Sequence, residues 1–321
     1  MEAEMKYEQL GATLYVPACR DDLLQVVNGR RFHGVRSLIL CTEDAVCESD
    51  LDQALANIEA LLPILCDVKI PVFVRVRNHQ VLKRVLAFNS VHHLAGVVLP
   101  KFDTSNASAY LDTLTGCPTL LIMPTLETKA VFSSLAMDRL RDLLLDHPMH
   151  KQILALRIGG NDLMALLGIR RHPQMTIYET LLGPVISRLV TTFRPFGFPL
   201  TAPVCDSYSS LDVLEREVEQ DLVNGLYSKT AIHPNQVVKI QSLYAVSDGD
   251  LEIAQRLLLP GQKAVFGHHG VMHELETHLT WAESVVHRSK LFGTRNQMDR
   301  RHISQQHVAQ SELQTLLKES G

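Results

Sequence analysis

Apolar and β-branched residues gather in eight short runs along the chain, at 13–18, 37–42, 72–76, 96–100, 119–125, 153–158, 199–204 and 226–232, each bounded by turn-forming residues. Stretches of helical periodicity lie between them. The clearest is 51–66, where Leu51, Leu55, Ile58, Leu62 and Leu65 share one stripe behind Ser49 or Asp50 as N-cap. Similar stripes cover 21–27, 81–88, 129–145, 178–190 and 211–223. Strands alternating with helices predict parallel pairing, because a parallel strand can be reached only through a long crossover. Eight such units predict a (β/α)8 TIM barrel. A doubly wound sheet is the alternative, but no glycine-rich phosphate loop follows the first strand. The expected organisation is a barrel over 1–248 and a helical extension over 249–321, with amphipathic stretches such as 275–291 and a final helix in the tail. An extension of that length with apolar faces predicts cap and subunit contacts, hence a homo-oligomer, with a trimer or hexamer expected.

The polar residues at the C-terminal ends of these strands carry the functional signal. They are Arg20, Glu43 with Asp44, Arg75 with Arg77, Lys101, Glu127, Asp162, Asp206 and His233. A barrel brings all eight strand ends to one face, where active sites of this fold are built. Any one of these residues alone reads as a solvated loop charge; the eight strand ends together predict a pocket.

Composition narrows the setting. With 321 residues, 46% hydrophobic and 21% charged, the chain has ordinary globular composition. A net charge of −4 makes nucleic acid a poor partner, and no apolar run approaches the eighteen or so residues that span a bilayer. The six cysteines form no CxxC pair and the first residues are acidic, so a reduced, cytoplasmic protein is expected.

Glu127 and Asp162 fall on consecutive strands. Paired carboxylates at a strand edge suit Mg²⁺, which takes one or two protein carboxylates and leaves its other positions to water and substrate. Such a site favours a 2-oxo or 2-hydroxy acid, with Arg75 clamping its carboxylate in a fork. Gly159 and Gly160 either let backbone approach that ligand or simply make a tight turn.

The ordered motifs LYVPACRDD, TEDAV, VFVRVRN, GVVLPKF, MPTLET, GGNDLMALLG and GLYSKTAIHPNQV resemble the citrate lyase β-subunit group of the HpcH/HpaI aldolase and citrate lyase family, from Leu14 to about Glu274. The resemblance implies a TIM barrel that binds Mg²⁺ and cleaves or forms carbon–carbon bonds of hydroxyacyl thioesters or hydroxy-oxo acids. It implies that Glu127 and Asp162 are the metal carboxylates, that Arg75 holds substrate oxygens, and that Arg20 lies near the substrate or a coenzyme A tail. Glu43 and Asp44 match the family's acid pair after the second strand, and Lys101 joins the substrate-binding set at the rim. Glu274 falls where these lyases carry an acid that often serves a neighbouring subunit's site. Two departures stand out. Cys41-Thr42-Glu43-Asp44 replaces Asp-Leu-Glu-Asp, and Gly159-Gly160-Asn161-Asp162 replaces Gly-Ala-Glu-Asp, each removing one negative charge. The stretch from Glu127 to Asp162 is also long for the group. These changes predict a divergent branch with an altered substrate.

Other signals weigh less. His273-Glu274 opens an HExxH-like string, but His278 comes five residues after His273 rather than four, off the helix face a zinc ion needs. His233 before Pro234 reads as a rim histidine at a helix start, and Cys41 as a packed thiol. The expectation is a Mg²⁺-dependent carbon–carbon lyase; the alternative is a barrel that kept its pocket as a binding or regulatory subunit.

Overall fold

The computed structural model describes residues 5–209, 211–261, 264–268 and 270–296, so the tail expected to be helical lies almost wholly outside the described residues. Two compact units are present, Met1–Ile240 and Gln241–Gly321.

The first unit is a (β/α)8 barrel. Its strands are β1 (Ala12–Pro17), β2 (Ser37–Cys41), β3 (Val72–Arg75), β4 (Gly96–Leu99), β5 (Leu121–Leu126), β6 (Leu156–Ile158), β7 (Leu200–Thr201) and β8 (Lys229–Ala231). They are parallel and neighbour one another in sequence order, with β8 against β1. A parallel bridge from Ala202 to Lys229 closes the ring between the last two strands. Around them run α1 (Leu23–Val27), α2 (Leu51–Leu61), α3 (His79–Leu86), α4 (Ala107–Leu114), α5 (Ser134–Asp146), α6 (Gly160–Leu166), α7 (Leu182–Phe193), α8 (Leu211–Val223) and α9 (Pro234–Leu243).

Every strand read from the sequence is present, and the differences lie in helix boundaries. The 51–66 stripe is α-helical only to Leu61 and continues as a 3-10 turn over Leu62–Asp67. Pro63 explains the change, since its ring clashes with the preceding turn and it donates no amide. The 129–145 stripe breaks at Ser133, whose hydroxyl accepts from the Ala136 amide and starts α5 afresh. Sequence periodicity missed α4, a helix of only eight residues.

Strand residues two apart face the same side of the barrel wall. Ile39, Phe73, Val98 and Met123 pack with Tyr7, Leu10 and Tyr227 in one buried cluster that plugs the lower barrel. The alternate residues Leu38, Leu40, Val72, Val74 and Ile122 are also buried, as expected of a sheet covered on both faces. Outside the barrel wall, the fully buried Lys229 of β8 places Nζ 2.9 Å from both Glu217 and Asp221 of α8. Arg171 pairs with Glu217, and the Tyr178 hydroxyl donates to Asp221 at 2.6 Å.

In the second unit, α10 (Asp248–Leu258), the hairpin β9 (Val265–His268) and β10 (Val271–Glu274), and α11 (Leu275–Phe292) surround Ala254, Leu257, Phe266, Ala282 and Val285. The amphipathic 275–291 stretch is α11; the hairpin had no counterpart in the sequence reading. Among the described residues no helix is long and apolar enough to cross a membrane.

Candidate active site

The two-residue alternation that builds the lower plug also builds the site above it. Two positions beyond Ile39, Phe73, Met123 and Ala155 stand Cys41, Arg75, Thr125 and Arg157. With Tyr15 and Thr230 they line a cavity of about 240 Å³ at the C-terminal face. The barrel interior thus changes from apolar to polar within one layer, and the polar layer is the cavity floor.

A ring of charge lies at the rim. Arg75 Nη2 contacts Glu43, and lies 3.2 Å from Glu127 Oε1 and 3.4 Å from Asp44 Oδ2. Lys101 Nζ lies 2.9 Å from Glu43 Oε1 and 3.3 Å from Asp162 Oδ1. Four carboxylates therefore share two cations at the rim. Burial pushes Glu127 up to about 7, with Arg75 and the Lys101 amide opposing the shift. Burial raises Glu43 as well, against the pull of Arg75 and Lys101. Burial opposes the charge on Lys101, but its bond to Glu43 and the neighbouring Glu43, Asp162 and Glu127 carboxylates hold its proton above the usual lysine range.

Local structure fixes these groups. Arg77 donates through Nε to the Thr42 carbonyl at 3.0 Å, through Nη2 to the Val46 carbonyl, and pairs with Glu48, so it ties down the loop carrying Glu43 and Asp44. Lys101 takes a left-handed backbone, φ 46°, costing about 1–2 kcal/mol for a residue with a Cβ. In that conformation its amide donates to Glu127 Oε1 at 2.8 Å, while Asn106 Nδ2 donates to its carbonyl at 2.8 Å. Strain of this kind persists where surrounding contacts over-determine it. Gly159 is required on steric grounds: a Cβ there would overlap Glu127 Oε2 and Cβ.

The sequence-derived set divides on this geometry. Glu43, Asp44, Arg75, Lys101, Glu127, Asp162, Gly159 and Gly160 come together at the cavity and its rim. Arg20 is not among its lining residues; its guanidinium forms a fork with Asp22, two bonds of 2.7 Å. Glu274 ends β10 and occupies the position before the first turn of α11, within the second unit. Asn161 turns to Asp206, donating at 2.9 Å. His233 accepts the Asn235 amide at 3.2 Å and stacks on Tyr208, consistent with a helix-capping rim histidine. Cys41 is buried, and burial raises its thiol pKa, which fits a packed residue and not a nucleophile. His273 belongs to a strand and His278 to a helix, so they do not share one helix face.

Reading only the strand ends missed Tyr15, Thr125, Arg157 and Thr230. The signal was present: an arginine inside an otherwise apolar barrel strand, in phase with Ala155, must point inward.

The donors fit a hard divalent cation. Among the described residues no three His, Cys, Asp or Glu side chains form a ready cage, but Mg²⁺ needs only one or two protein carboxylates. Arg75 and the Lys101 amide both engage Glu127 through Oε1, while Oε2 lies over Gly159, and Lys101 engages Asp162 through Oδ1.

A family model described as carbon–carbon bond lyases of the TIM-barrel fold matches residues 4–294. The (3S)-malyl-CoA thioesterase of Cereibacter sphaeroides is 26% identical over 122 residues, which make up 38% of this chain and 41% of that protein. Among solved structures, a citrate lyase from Burkholderia xenovorans matches with TM-score 0.70 at 18% identity, covering 89% of this chain and 92% of that one. CitE of Mycobacterium tuberculosis in complex with magnesium, acetoacetate and coenzyme A matches with TM-score 0.64 at 20% identity, covering 87% and 98%. The magnesium/glyoxylate complex of Haloferax volcanii malate synthase matches with TM-score 0.64 at 14% identity, covering 85% and 83%. At these identities the structural likeness is one of fold.

Proposed function

Because the chain belongs to the family of carbon–carbon bond lyases of the TIM-barrel fold, we propose that it cleaves or forms the bond beside a carbonyl in a small hydroxy-oxo acid or hydroxyacyl thioester, with Mg²⁺ held by Glu127 and Asp162. The observation that carries this reading is the convergence of four carboxylates on two cations beside a cavity walled by Arg75 and Arg157. Bound there, Mg²⁺ supplies Lewis-acid polarisation of a substrate oxygen.

The chain's own residues account for the rest. In the cleavage direction a hydroxyl loses its proton, its oxygen becomes a carbonyl, and the adjacent carbon–carbon bond breaks. The bonding electrons stay on the departing fragment as an enolate, which is then protonated. In this reading Glu43 takes the hydroxyl proton: burial raises its affinity for one, and Lys101 Nζ, 2.9 Å from Oε1, steadies the carboxylate once it is charged again. Arg75 lines the cavity, and its guanidinium orients substrate oxygens there. Fixed cationic donors stabilise the developing enolate without solvent rearrangement. The malyl-CoA thioesterase and the coenzyme A complex among the similar proteins support an acyl thioester as one substrate form.

A panel of 2-oxo acids with acetyl-coenzyme A, followed for condensation, cleavage and thioester hydrolysis with Mg²⁺ or with chelator, tests the proposal. Mg²⁺-dependent bond formation or cleavage is expected. Turnover indifferent to chelator overturns the metal reading, and tight binding of an acid without turnover on any member would instead favour a regulatory barrel.

A further inference from the structure

The cavity floor holds a positive charge that the proposed reaction does not use. Arg157 is 2% exposed and lines the cavity. Its Nη2 donates to Thr230 Oγ1 at 2.6 Å, its Nη1 lies 3.6 Å from the Met123 sulfur, and its guanidinium carbon lies 5.3 Å from the centre of the Tyr15 ring. Among the described residues no carboxylate comes within 4.0 Å of it. Lys229, buried as deeply, holds two. A buried cation without a counter-ion is costly, and one facing a cavity is most simply completed by an anion that enters it.

A second observation points the same way. Thr125 is the register partner of Arg157 across β5 and β6, lines the same cavity, and is 5% exposed. Its hydroxyl is buried without a hydrogen-bond partner. A planar guanidinium beside a free hydroxyl donor suits an oxyanion, bound bidentately by the arginine.

We propose that Arg157, with Thr125 and supported by Thr230, binds a second anionic group of the substrate, so that the preferred ligand is an acid with an anion at each end. This rests on reading the cavity as the substrate site. One anion meets Arg75 and the other meets Arg157, two arginines that both lie against the Tyr15 ring. An acid ending in a methyl group leaves Arg157 and Thr125 unpaired in a water-poor environment, and sites built to bind a polar group reject ligands lacking it strongly. Arg157 is then a specificity-determining residue, and the apolar wall formed by Ile158, Val204 and Ile232 packs the carbon chain between the two ends.

The test uses the full chain with Mg²⁺ and titration calorimetry. The ligands are 2-oxopentanoate, 2-oxoglutarate, and 2-oxo-4-phosphonobutyrate, which end in methyl, carboxylate and phosphonate. The wild type is expected to prefer at least one dianion over 2-oxopentanoate by about 100-fold, the scale of one lost charged hydrogen-bond pair, and the better of the two identifies the terminal group. Arg157→Met should abolish that preference by weakening the dianions, with thermal melts checking that the variant folds. The near-isosteric Thr125→Val should reduce the preference several-fold and serves should the methionine variant fold poorly. Equal affinities in the wild type, a preference that survives Arg157→Met, or one untouched by Thr125→Val overturns the assignment. Because binding is read and not turnover, failure of the lyase reading leaves a distinct signature: preference retained, chemistry absent.

Discussion

Gly159→Ala is a one-carbon perturbation at the point where β6 passes beneath the proposed metal carboxylate. The added Cβ would overlap both Oε2 and Cβ of Glu127 and lie 3.1 Å from its Cδ. Oε2 alone could swing aside, but Cβ is fixed to the backbone of the β5 exit, so strand and carboxylate must move together. Overpacking of this kind costs about 1–3 kcal/mol. At about 2–4 °C per kcal/mol for a domain of this size, the melting temperature should fall by about 2–12 °C. The same displacement carries Glu127 away from Asp162, and misplacing a metal carboxylate through its supporting contacts costs about 10–100-fold in affinity. Gly116→Ala is the control, because a Cβ there meets nothing within 4 Å; its stability should change by less than about 0.5 kcal/mol. Thermal melts without metal and Mg²⁺ calorimetry on both variants measure the two effects. A Gly159→Ala protein that melts with the control and binds Mg²⁺ like the wild type would refute the claim that Gly159 seats Glu127, and with it the placement of the cation.

Further expectations follow from the same geometry. Glu127 is pushed up to about 7 from an ordinary value near 4.5, so the metal-free fold binds a proton that the unfolded chain releases, and melts of apo protein should show stability falling as pH rises from 5 to 7.5. Mg²⁺ competes with that proton, so its affinity should fall about tenfold per pH unit below 7 and level off above it, and calorimetry on Glu127→Gln should lose this dependence. Arg75→Lys keeps charge and loses the planar fork, and steady-state assays should find turnover reduced by about 10- to 1000-fold. Lys229→Met leaves buried Asp221 without a cation and Glu217 with Arg171 alone, and should cost about 3–5 kcal/mol in denaturant unfolding.

The strands and their parallel order were legible in the sequence because a sheet covered on both faces demands apolar runs, and crossovers demand helices of predictable length. The rim residues were legible because they sit at the ends of those runs, where a barrel must gather them. Helix boundaries at Leu61 and Ser133 were not, since a stripe of leucines fits an α-helix and a helix with a 3-10 continuation equally well. Pairing was decided only in three dimensions. Whether Asn161 reaches Asp206 and whether Lys101 takes a left-handed backbone beside Glu127 depend on neighbours far away in the chain. Arg157 marks the boundary between the two kinds of knowledge. Its charge inside an apolar strand was visible from the start, whereas its lack of a carboxylate partner depends on what lies across a closed barrel, and only the packed fold determines that.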